Sequence, residues 1–120
     1  MCGMHAERYA QLTQALNQIL VTLQKEYKPE KIILFGSMAS GNVGEWSDID
    51  LAIIKNTSKP FMERLEEVTL LCLVPVGVDY LVYTPDEFSQ MLLENNPFIK
   101  GEIVDKGKII YERTTSSAMA

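Results

Sequence analysis

The chain has 120 residues, 47% hydrophobic and 22% charged, a length and composition suited to one globular domain with a real core. A formal net charge of -5 argues against a nucleic-acid footprint, which needs clustered Lys and Arg. It fits a protein that meets cations or another protein.

Taken in order, Glu7 to Tyr27 places Tyr9, Leu12, Leu16, Ile19, Leu20, Leu23 and Tyr27 at three- and four-residue spacing, which predicts an amphipathic helix. Pro29 ends it. "KIILF", Lys31 to Phe35, reads as a buried strand closed by Gly36. "SMAS" suits one helical turn, and Gly41 to Ser47 a loop. "DIDLAII" is a second strand, and Phe61 to Val74 a second long helix with Phe61, Leu65, Val68, Leu71 and Cys72 turned inward.

"VDYLVY", Val78 to Tyr83, is a third strand. Thr84, Pro85 and Glu87 then give an N-cap, a first-turn proline and a capping box, opening a helix to about Asn95. A short helix begins near Pro97, Lys108 to Glu112 is the last strand, and "TTSSAMA" has no periodicity. The expected class is α/β or α+β, with a mixed sheet of about four strands flanked by helices. One domain over residues 1–113 is expected, with an unstructured tail at 114–120.

Neither cysteine suggests a disulfide framework. Cys2 lies in a terminus expected to fray, and Cys72 sits in the apolar run "VTLLCLV", as a buried thiol in a reducing compartment would. The one histidine, His5, has no partner at metal-site spacing. No apolar run approaches the ~18 residues of a membrane span, and no leader-like run opens the chain. A cytoplasmic location is expected.

Asp48 and Asp50 stand one residue apart within an apolar run. In a strand they share a face while Ile49, Leu51 and Ile53 enter the core. Two carboxylates on one face repel unless a proton or cation compensates. An all-oxygen donor set suits a hard cation such as Mg²⁺. Asp79 is a third candidate, facing opposite to Val78, Tyr80 and Val82. Gly36 and Ser37 end one strand and start a helical turn, where free backbone N–H groups and a hydroxyl favour phosphate. A Walker loop is excluded because no Gly-Lys-Ser/Thr follows. A calcium-hand loop is excluded by Ala52 at a ligand position.

"FGS" at Phe35 to Ser37, "SDIDL" at Ser47 to Leu51 and "VDYL" at Val78 to Leu81 together resemble the minimal nucleotidyltransferases of the DNA polymerase beta superfamily. The resemblance covers most of the chain. It implies that Gly36 and Ser37 bind the triphosphate, that Asp48 and Asp50 ligate two Mg²⁺ ions, and that Asp79 completes the site on the nucleophile side. It implies AMP transfer from ATP with release of pyrophosphate. Members often read Gly-Ser-Arg-Ala-Arg-Gly, whereas Met38 and Ser40 stand here. That weakens the expected grip on triphosphate. Lys55 and Lys59 are possible substitutes, or simply solvated surface.

The same resemblance implies a partner. Minimal nucleotidyltransferases are commonly paired with a helical HEPN toxin, acting as the antitoxin that adenylylates a toxin tyrosine. A non-catalytic antitoxin that neutralises by docking and a small-molecule nucleotidyltransferase are the alternatives.

Overall fold

The computed structural model describes residues 2–113, with side chains from residue 6 onward. The unstructured tail expected at 114–120 lies outside the described residues. Helix α1 (Cys2–Thr22) continues through a wider, π-type stretch (Leu23–Tyr27). Strand β1 (Lys31–Phe35), the short helix α2 (Gly36–Ser40) and strand β2 (Ile49–Ile54) follow. Then come α3 (Phe61–Leu71), β3 (Val78–Tyr83), α4 (Pro85–Leu93), a π-type helix (Phe98–Asp105) and β4 (Lys108–Glu112).

The four strands form one mixed sheet in the order β3-β2-β1-β4. Strand β1 runs antiparallel to β2 and β4, and β2 runs parallel to β3. The parallel pair is possible because α3 carries the chain back between them.

Period-two alternation splits the core between the two faces of the sheet. One face buries Ile32, Leu34, Ile49, Leu51, Ile53, Tyr80 and Val82 against Leu12, Leu16, Ile19 and Leu23 of the first helix and Val68 of α3. The other buries Ile33, Phe35 and Ala52 against Ile99 and Ile103. Both faces are covered, which is why the strands read as nearly continuous apolar runs.

Several boundaries differ from expectation. The first helix begins at Cys2 rather than Glu7, and Tyr9, expected inward, is 50% exposed. Helix α3 stops at Leu71, three residues short of Val74, because Pro75 disfavours helical backbone at the residue before it. Its buried positions are Arg64 and Val68, with Cys72 buried just past its end, whereas Phe61, Leu65 and Leu71 are only half-buried. Arg64 is tolerated inside because every arm is used. Its guanidinium donates to Lys59 O at 2.8 Å, Val82 O at 3.0 Å and both Glu87 oxygens at 2.7 and 3.0 Å. Glu87 Oε1 also accepts from Thr84 N, and Glu87 N donates to Thr84 Oγ1. One carboxylate thus closes the capping box of α4 and partners the buried charge of α3.

Candidate active site

The site lies where β1, β2 and β3 meet the loops at one end of the sheet. Asp50 is the second residue of β2. Its register partners are Phe35 on β1 and Asp79 on β3. In-register neighbours on adjacent strands lie ~4.8 Å apart and share a face, so Asp50 and Asp79 stand side by side at the margin of the second core. Asp79 is solvent-exposed and Asp50 half-buried.

Among the described residues, no ion pair involves Asp50 or Asp79. Burial pushes the Asp50 carboxyl up to about 6, helped by a hydrogen bond to Asp79 and by the negative charges of Asp79 and Asp48. Such a carboxylate pair is a latent cation site, because only a proton or an external cation relieves it. The donor set, all carboxylate oxygen, fits Mg²⁺.

Asp48 lies immediately before β2 rather than within it. A backbone hydrogen bond from Ile49 N to Gly77 O, 3.1 Å, ties this point to the start of β3. A Cβ on Gly77 would fall 2.7 Å from Asp48 Oδ1, so a side chain there would displace that carboxylate from its present position. The same Oδ1 meets Arg8 Nη2 at 3.5 Å. Arg8 Nε donates to Ser47 O at 2.9 Å. The loop is held a second way, by Gly44 N donating to Ser47 Oγ at 2.8 Å. Among the described residues, no three His, Cys, Asp or Glu side chains are already gathered around one point. Asp48 faces an arginine while Asp50 faces Asp79.

Gly36 begins α2 at φ +75°, a left-handed conformation that glycine adopts without strain. A Cβ there would lie 2.1 Å from Asp50 Oδ2. The Gly-Ser turn and the carboxylate therefore meet at van der Waals contact. No side chain caps the start of α2, where the first N–H groups of a helix have no acceptor within it.

The positions where arginines were expected behave differently from each other. Met38 is 7% exposed and belongs to the main core, so position 38 is a packing position in this chain. Ser40 is exposed, its hydroxyl donating to Ser37 O at 3.2 Å. Neither lysine substitutes. Lys55 lies five residues beyond Asp50, about 16 Å along the chain direction, and its Nζ donates to Tyr27 O at 2.5 Å over the Tyr27 ring. Lys59 pairs with Glu67 at 3.2 Å. Among the described residues, the positive charge beside Asp48 is Arg8, which sequence spacing did not signal because it lies 40 residues away.

The chain resembles known proteins in sequence and in fold. Residues 17–116 match the family model described as "Polymerase beta, Nucleotidyltransferase". A Methanocaldococcus jannaschii protein named "Putative protein adenylyltransferase" is 32% identical over 108 residues, covering 85% of this chain and 73% of that protein. A Sulfolobus solfataricus crystal structure titled as a "putative nucleotidyltransferase" superposes with a TM-score of 0.67. It covers 93% of this chain and 90% of that one at 18% identity, a likeness of fold.

Proposed function

The chain belongs to the polymerase beta nucleotidyltransferase family, and on that premise we propose that it transfers AMP from ATP to a hydroxyl of a partner protein. The observation that carries this reading is the in-register pair Asp50 and Asp79 lying against Gly36. Protein as the acceptor class is supported by the name of the Methanocaldococcus jannaschii relative.

In this reading the N–H groups at the start of α2 and the Ser37 hydroxyl hold the phosphates. Gly36 keeps that approach free of a side chain. Asp48, Asp50 and Asp79 would hold Mg²⁺, whose chemistry there is charge neutralisation at the reacting phosphate. Asp79, more exposed than Asp50, accepts the proton of the acceptor hydroxyl. The acceptor oxygen bonds to the α-phosphorus, the bond from that phosphorus to the bridging oxygen breaks, and pyrophosphate leaves.

The partner we propose is a co-encoded helical HEPN toxin, with a tyrosine as acceptor and this chain as its cytoplasmic antitoxin. This rests on the resemblance to minimal nucleotidyltransferases. Apolar surface for such a partner exists: Val21 and Leu73 line one shallow groove and Met62 and Leu70 another, each residue at least 60% exposed. Among the described residues no helix is long and apolar enough to cross a membrane.

The test is to incubate the chain with its co-encoded protein, ATP and Mg²⁺ and weigh the partner intact. Added AMP with wild type and none with Asp79→Asn is the expected result. An unmodified partner that both proteins still inhibit would replace transfer by docking.

A further inference from the structure

Arg8 is the one described cation in contact with the acidic site, and its contacts differ in strength. Nε to Ser47 O is 2.9 Å, an ordinary hydrogen bond, while Nη2 to Asp48 Oδ1 is 3.5 Å. Nη1 meets Gln11 Oε1 at a similarly long 3.3 Å. The guanidinium is thus anchored at one nitrogen and loosely held at the other two. It is 21% exposed against 49% for the Asp48 side chain, so it is held near the protein while its partner reaches into solvent.

The Gly-Ser turn supplies no arginine, since Met38 is in the core. A triphosphate brings several negative charges, and the planar fork of arginine is the side chain best shaped to meet them. We propose that Arg8 changes partners at this site: it neutralises Asp48 in the cation-free chain and, once a divalent cation takes Asp48, turns its free guanidinium nitrogens to the nucleotide phosphates. The Nε bond to Ser47 O persists in both states and keeps the fork beside the site. Arg8 is then both a competitor of the cation and a ligand of the nucleotide. This inference rests on reading the carboxylates as a cation site.

The two roles have opposite signs, which a merely structural arginine would not produce. The test titrates Mn²⁺ alone, and then a non-hydrolysable ATP analogue with saturating Mn²⁺, into wild type, Arg8→Gln and Arg8→Lys. Binding is read by water-proton relaxation for the metal and by fluorescence of the single Trp46, 85% exposed and two residues from Asp48. Arg8→Gln is expected to bind Mn²⁺ about threefold more tightly, as for loss of an exposed ion pair. It is expected to bind the analogue about tenfold more weakly, as for loss of a charge-assisted contact. Arg8→Lys, which keeps the charge, should restore the Mn²⁺ affinity of wild type and part of the analogue affinity. Weaker binding of both ligands in Arg8→Gln would make Arg8 a structural brace and overturn the exchange, as would no change in either. If wild type binds no Mn²⁺, the cation-site reading falls together with this inference. If wild type binds both ligands and Arg8→Gln matches it, this inference falls alone.

Discussion

Asp50 and Asp79 occupy partnered positions on two parallel strands, so one backbone register brings two carboxylates together that are 29 positions apart in the sequence. No loop has to close to make the contact. The cost falls on Asp50, whose carboxyl is raised first by burial and then by its hydrogen bond to Asp79 and the charges of Asp79 and Asp48. A carboxylate pair that costs stability when empty marks a candidate ligand site.

That cost has a pH signature. Asp50 titrates near 6 in the folded chain against an ordinary 3.8, so between these values the folded state holds a proton that the unfolded state has released. Stability contributed by this group therefore falls as pH rises through the window. Asp50→Asn removes the slope and should be the more stable protein at pH 7. Urea unfolding of both proteins from pH 4 to 7, without divalent cations, should show curves that diverge with rising pH. Parallel curves would mean that Asp50 carries no excess proton.

Gly36 should not tolerate a side chain. Its φ of +75° and the 2.1 Å approach of a Cβ to Asp50 Oδ2 predict that Gly36→Ala costs about 2 kcal/mol or more, of which ~1–2 is the left-handed backbone. Part of the remainder should vanish when Asp50 is also alanine. A double-mutant cycle by thermal unfolding measures that coupling, and strict additivity would contradict the contact.

Met38 and Ser40 should respond oppositely to arginine. Met38→Arg places a charge in the main core and should lower stability by several kcal/mol. Ser40 is exposed at the end of α2, so Ser40→Arg should leave stability within about 0.5 kcal/mol. Thermal unfolding separates the two directly.

Arg64 should be the most sensitive charged residue outside the site. Removing it takes away the bonds donated to the Val82 and Lys59 carbonyls and to the Glu87 carboxylate, which keeps its bond from Thr84 N. Arg64→Ala should cost about 2–4 kcal/mol, discounted for the partial exposure of Glu87. The pair also holds Glu87 below its ordinary value, a stabilisation present above that value and lost as pH falls through the depressed one. Arg64→Ala should therefore approach wild type in stability under acid conditions, which unfolding at pH 3 and pH 7 would check.

Much of this was legible from residues alone. The β-branched run closed by Gly36 marked β1 and the run "VDYLVY" marked β3 at their observed bounds, and Thr84 with Glu87 announced the start of α4. Side-chain alternation placed Asp79 opposite Val78, Tyr80 and Val82. The strand order was not legible, because it depends on which faces the helices cover and not on any local run. Arg8 and Arg64 were missed for a related reason. Each finds its partner across the fold, and a charged residue on a helix carries no sign in the sequence of the carboxylate it will meet. Met38 could be read only as an absent arginine until the structure put its side chain in the core.

The most direct test of the account is thermal unfolding of wild type and Asp79→Asn with Mg²⁺ and a non-hydrolysable ATP analogue, together and separately. Ligands that bind only the folded state raise the melting temperature by mass action. The account predicts a rise for wild type that requires both ligands at full size and is lost in Asp79→Asn, while without them Asp79→Asn unfolds at the temperature of wild type or higher, because the repulsion on Asp50 is relieved. Equal ligand-dependent rises in both proteins would contradict the assignment of Asp50 and Asp79 as the nucleotide and cation site.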